Sequence, residues 1–135
     1  LPDYRYRLDF QVRDYECDMQ GIVNNAVYQH YLEHARHQFL KEVGLDFAAF
    51  TREGINLVVI RAELDYRLPL QSGDRFWVGL NVERLTKVRF VFIQDIFRAA
   101  DDKPVLNARV IGTSLNRRGR PMLPEAIDRL LGDTN

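Results

Sequence analysis

At Asn25 the apolar residues of this chain change their spacing, and that change limits the fold more than any other feature. Before it, Leu8, Phe10 and Val12 alternate with Arg7, Asp9, Gln11 and Arg13. A period of two marks a half-buried strand, here over about residues 5–15. Residues 16–24 contain Gly21 and Asn24 and read as a loop. From Asn25 on, Tyr28, Tyr31, Leu32, Ala35, Phe39 and Val43 recur at three- and four-residue steps. They form the apolar stripe of one helix, which Gly44 closes. A short helical segment at 47–52 follows and ends at Gly54. Alternation then returns and persists. Strands are expected over Val58–Leu68, Phe76–Val82, Lys87–Ala100 and Val105–Asn116, with turns at Ser72-Gly73-Asp74 and Asp101-Asp102-Lys103. Arg117-Arg118-Gly119 ends the last strand, and Pro124 stands at the first position of a short helix running to Leu131.

The order β-α-β-β-β-β with short turns demands an antiparallel sheet and places the chain in the α+β class. One long helix covers one face of a five-stranded sheet. Strands of this length are unusual in a small domain, so the sheet is expected to curve around the helix. With 135 residues the chain is read as a single domain, 1–135, long enough for a real core.

Charge narrows the function. Lys plus Arg equal Asp plus Glu at 19 each, so there is no basic excess of the kind a nucleic-acid-binding domain carries. No apolar run is long enough to span a membrane. The first residues, Leu-Pro-Asp-Tyr-Arg, show no signal-peptide core, and the lone Cys17 gives no secretory signature. A cytoplasmic location is the expectation.

The chemistry concentrates in residues 14–36. Asp18 lies in a short loop just ahead of the helix, and a helix N-terminus offers free N–H groups that can hold an oxyanion. A carboxylate beside it can act as base or nucleophile. Aspartate also caps helices, but Asn24 stands nearer the helix start and suits that role better. Glu33 and Arg36 stand three apart, the spacing of a surface ion pair. The alternative is that they line an active site or order its water. Cys17 reads as a small filler. His30, His34 and His37 share a solvated helix face opposite the apolar stripe and lack the His-Glu-x-x-His order, so no metal is expected. Lys87, Arg89, Arg117, Arg118 and Arg120 stand at strand ends, either as solvated surface or as partners for phosphates.

The segment Asp18-x-x-Gly21-x-Val23-x-x-x-x-Tyr28, with Glu33-x-Ala35-Arg36 after it, resembles the hotdog-fold acyl thioesterases of the 4-hydroxybenzoyl-CoA thioesterase type. Val23-Asn24-Asn25-Ala26-x-Tyr28 is similar to their long-chain acyl-CoA branch. Together with Val12-Arg-Asp-Tyr-Glu16, it is also similar to plant acyl-lipid thioesterases. The resemblance implies a hotdog fold, with Asp18 as the catalytic carboxylate and the Asn25 backbone N–H polarising the thioester carbonyl. Related enzymes often carry Tyr or His at the position of Asn25. The resemblance further implies a homodimer or homotetramer with the acyl site between subunits, and no metal or redox cofactor. Gly21, Val23, Asn24, Tyr28, Glu33 and Arg36 are the candidate substrate contacts, and Lys87, Arg89, Arg117 and Arg118 the candidate coenzyme A contacts. The expected substrate is a fatty acyl-CoA or acyl-carrier-protein thioester. An aromatic acyl-CoA hydrolase and a non-catalytic acyl-CoA-binding module are the rival readings.

Overall fold

The computed structural model describes residues 3–132, so the outermost residues of the expected domain lie outside the described ones. Strand β1 (Tyr6–Gln11) leads through a 3₁₀ turn at Asp14–Glu16 to helix α1 (Asn25–Glu42). Helix α2 (Phe47–Glu53) and strands β2 (Asn56–Tyr66), β3 (Arg75–Arg84), β4 (Arg89–Arg98) and β5 (Pro104–Leu115) follow. The two-residue strand β6 (Pro121–Met122) and helix α3 (Glu125–Leu131) complete the described chain.

The strands form one antiparallel sheet in the order β1-β3-β4-β5-β2, with β6 added beside the end of β5. Helix α1 lies across its concave face, the arrangement of a hotdog fold. Tyr28, Tyr31, Leu32, Ala35 and Phe39 are its buried residues, the stripe read from the sequence without Val43, which is the exposed C-cap because the helix ends at Glu42. Against them pack Phe76, Val78 and Leu80 of β3 and Phe92 and Ile96 of β4. A buried Phe or Leu stabilises the fold by about 1.5–3 kcal/mol, so this seam dominates the core.

Asn24 caps α1 by accepting the Ala26 N–H at 2.9 Å. Gly54, at φ 72°, ends α2 in the left-handed conformation that glycine adopts without penalty.

Four details differ from the sequence expectation. The first strand stops at Gln11, because Glu16 folds back to accept the Arg13 N–H at 2.8 Å and the Tyr31 hydroxyl at 2.9 Å. Strand β4 starts at Arg89, not Lys87, because Thr86 and Arg89 close a turn. The sheet has six strands rather than five, since Pro121–Met122 pairs with Ser114–Leu115. Pro124 is the N-cap of α3 rather than its first helical residue.

Candidate active site

The segment ahead of α1 is a small hairpin. Cys17 bridges to Val23, the Asp18 N–H donates to Ile22 O at 2.9 Å, and the Gly21 N–H donates to Asp18 O at 3.0 Å. Gly21 has φ 81° with open space around it, so backbone conformation rather than room requires the glycine. The hairpin is anchored to the loop after β2. Val23 N–H donates to Leu70 O at 2.9 Å, Ile22 bridges to Gln71, and Leu70 N–H donates to the Tyr28 hydroxyl at 3.1 Å. Val23 and Tyr28 therefore stand in the core, where they hold the hairpin in place.

Asp18 is exposed at the tip of this support. Its Oδ1 accepts the Gln20 N–H at 2.9 Å, and Oδ2 has no partner among the described residues. At the helix start, the Asn24 side chain takes the Ala26 N–H and the Asn24 carbonyl takes the Val27 N–H. The Asn25 N–H is left without an acceptor among the described residues. A free first-turn amide at the positive end of an 18-residue helix is an oxyanion donor in waiting. Cys17 beside it is half-buried, and burial, then Asp14, Asp18 and Glu16, push its thiol above the ordinary value. That suppresses the thiolate a nucleophile needs.

Glu33 and Arg36 do not form the surface ion pair that their spacing allows. Glu33 is exposed, while Arg36 turns inward and donates to Gln94 Oε1 at 3.0 Å. Gln94 is fully buried and donates to Leu32 O at 3.0 Å. Burial holds the Arg36 guanidinium below its ordinary value, with nearby Glu33 opposing that shift. Gln94 went unnoticed in the sequence. The signal was there: it is the polar residue on the inward row Phe90, Phe92, Gln94, Ile96.

Beside these residues runs an apolar cleft of about 330 Å³ between α1, α2 and the first half of β2, with Phe47, Phe50, Phe90 and Phe92 in its walls. Helix α2 contributes the wall that holds Phe47 and Phe50. The three histidines do not share one environment. His30 and His34 face a second cleft beside β1, and His37 stacks on Phe47 at 5.2 Å. Among the described residues, no group of three or more His, Cys, Asp and Glu side chains is placed to hold a metal.

The basic residues gather at the other end of the sheet. Lys87 lies in the turn before β4, Arg89 opens β4 opposite Thr113, and Arg117, Arg118 and Arg120 lie in the turn between β5 and β6. All five are exposed, and none joins an ion pair among the described residues. Arg117 also donates to Arg52 O at 2.8 Å, capping the C-terminal end of α2. The Asp18 hairpin adjoins Leu70, beyond Tyr66, which pairs with Leu106 at the start of β5. From Leu106 to Thr113 the strand rises by about 23 Å. One chain does not bring Asp18 and the basic cluster together.

A sheet wrapped on one long helix defines a hotdog-fold protein, and here a carboxylate stands ahead of the helix and a free amide at its start. The model of the thioesterase-like superfamily matches residues 12–131, and the chain belongs to that superfamily. The chloroplastic acyl-acyl carrier protein thioesterase ATL3 of Arabidopsis thaliana is 35% identical over 123 residues, covering 90% of this chain and 65% of that protein. The chain thus spans just under two thirds of the length of that relative. A 1,4-dihydroxy-2-naphthoyl-CoA hydrolase of Synechococcus elongatus is 27% identical over 131 residues, covering 94% of this chain and 93% of that one. Among solved structures, a hypothetical protein of Aquifex aeolicus superposes with a TM-score of 0.84 at 30% identity, over 93% of this chain and 98% of that chain. The 1,4-dihydroxy-2-naphthoyl-CoA thioesterase of Synechocystis superposes with 0.86 at 20% identity, over 95% and 96%, a likeness of fold. No helix among the described residues is long and apolar enough to cross a membrane.

Proposed function

We propose that the protein hydrolyses an acyl thioester of coenzyme A or of an acyl carrier protein to the free acid and the thiol. The observation that carries this reading is the unsatisfied Asn25 N–H at the start of α1 together with the exposed carboxylate of Asp18 on the hairpin that leads into it. The carbonyl oxygen accepts the Asn25 N–H, and Asp18 either deprotonates a water that attacks the carbon, or attacks it directly to form an anhydride that water then hydrolyses to the free acid, restoring the carboxylate. The tetrahedral oxyanion stays on the amide until the thiolate leaves. One such donor lowers the barrier by roughly 3–4 kcal/mol. The apolar cleft between α1 and β2 suits the acyl chain, and the names of the Arabidopsis and Synechococcus relatives support both the reaction and the two carriers.

The working unit in this reading is a dimer, alone or doubled to a tetramer. Strand β2 is an edge of the sheet, and Met19, Val59, Ile60 and Tyr66, on it or on the Asp18 hairpin, are large and exposed. Antiparallel pairing of two β2 strands about a two-fold axis would cover them. It would set the Tyr66 end of one chain beside the Asn56 end of its partner, and so the Asp18 hairpin beside the partner's basic turns. Thiol release from fatty acyl-CoA, aromatic acyl-CoA and acyl-carrier-protein thioesters is the test. Binding of these compounds without any thiol release would overturn the hydrolase reading in favour of an acyl-binding module.

A further inference from the structure

Arg36 marks a point where two clefts meet. One, of about 140 Å³, runs along α1 from Gln29 against Ala62 and Leu64 of β2. The other is the Phe-lined cleft under α2, and both share Glu33, Arg36 and Val59. Both lie alongside α1 and adjoin at these three residues, the smaller one beginning one turn past Asn25. The Arg36 guanidinium carries five N–H donors, and a single neutral acceptor, Gln94 Oε1, is engaged. Gln94 supplies no negative charge, and its amide nitrogen, donating to Leu32 O, fixes it inside the core. No carboxylate among the described residues pairs with Arg36. The exposed Glu33 is near enough to favour the charged form but makes no ion pair with it, so the part-buried cation remains costly to hold. An oxygen anion entering at this junction would offset that cost with charge-assisted, geometrically matched hydrogen bonds.

Position fits this role. Arg36 stands eleven residues after Asn25, about 16 Å farther along the helix axis. A chain whose thioester carbonyl rests on the Asn25 N–H and whose body follows α1 brings its far end to the guanidinium. We propose that Arg36 recognises an oxygen acceptor at the remote end of the acyl group, so that the preferred substrates are ω-oxygenated acyl thioesters, with an ionised carboxylate held best. This inference rests on the thioesterase reading for the orientation of the chain.

The test is a ladder of ω-carboxyacyl thioesters of rising length, each against the unsubstituted acyl thioester of the same length on the same thiol. The wild-type protein should favour the carboxylated member by about tenfold or more in kcat/KM at the length that reaches Arg36, the scale of a charge-assisted hydrogen bond. Arg36→Lys keeps the charge and should keep part of the preference. Arg36→Gln keeps a donor for Gln94 without the charge and should abolish it. A purely structural Arg36 would lower both members of each pair alike and leave the ratio untouched, and that result overturns the proposal. So does a wild-type protein that prefers the plain chain at every length. Calorimetric binding of the free α,ω-dicarboxylic acids separates the two readings. If no thioester is hydrolysed yet the diacid binds wild type and not Arg36→Gln, the hydrolase reading fails and the Arg36 site stands. Absence of diacid binding removes the site.

Discussion

The two ends of the sheet are built differently. At one end Asp18 stands on a hairpin locked by backbone hydrogen bonds to Leu70 and Ile22, with Tyr28 and Val23 buried beneath it. At the other, Lys87, Arg118 and Arg120 stand on turns and Arg89 opens β4, all exposed and free of ion pairs among the described residues. A carboxylate acting on a bond must be held to within a fraction of an ångström, whereas cations that draw in phosphates work through a screened field and tolerate mobility. In the proposed function the rigidly supported acid end is the place of bond breaking, and the exposed basic end is the place of capture. The two ends lie apart by the rise of β5 from Leu106 to Thr113, about 23 Å, and in the proposed dimer the acid of one chain meets the basic turns of its partner.

The largest effect should come from the acid end. Asp18→Asn keeps size and the Gln20 contact but removes the charge, and kcat should fall by at least about 100-fold with the melting temperature unchanged. Turnover within a few-fold of wild type would take Asp18 out of the mechanism. Next comes the edge between the ends. Ile60 lies at the irregularity in β2 between Val59 and Arg61 and is 44% exposed. Ile60→Lys should yield monomers by light scattering and cost at least about tenfold in activity, since a misplaced partner is a misplaced group. A fully active monomer would break the two-chain account.

Weaker still is the basic end. Lys87→Ala with Arg118→Ala should raise KM several-fold for a coenzyme A thioester and leave kcat nearly unchanged, as should high salt on the wild type. Arg117 is left in place because it caps α2. An equal salt dependence for the same acyl group on a short neutral thiol would reduce the cluster to solvated surface. The smallest expected effect concerns stability alone. Hydrogen bonds from Arg98 at 3.0 and 2.5 Å pull the Asp101 carboxyl down to about 2. Its folded value lies below the unfolded value of about 4. The pair therefore stabilises above pH ~4 and fades as pH falls towards 2. Arg98→Gln should melt slightly lower than wild type at neutral pH, and the gap should close over that acid window. A gap that persists at pH 2 would assign it to packing.

What could be read in the sequence follows from range. The helix stripe, the strand alternation and the Gly54 stop are local patterns, and they place α1 and four of the long strands to within a few residues. The Asp18 hairpin was visible as a motif, yet its anchoring to Leu70 and Tyr28 joins residues more than forty apart and leaves no periodic trace. The end of β1 at Gln11 depends on the Glu16–Tyr31 hydrogen bond, again a long-range choice. Strand β6 is too short to show alternation. Arg36 looked like half of a surface pair because spacing reports only which side chains are neighbours. The buried acceptor that turns it inward sits on β4.

A mixed dimer tests the two-chain site most directly. One subunit carries Asp18→Asn, and the other carries Lys87→Ala with Arg118→Ala. If the acid of one chain works with the cations of its partner, the hybrid contains one intact site and one doubly damaged site. The account requires the hybrid to turn over coenzyme A thioester with wild-type KM at about half the wild-type kcat per dimer. If each chain uses its own cations, the sole acid-bearing subunit lacks them, and the hybrid would show the raised KM of the Lys87→Ala, Arg118→Ala parent. That result would contradict the composite site.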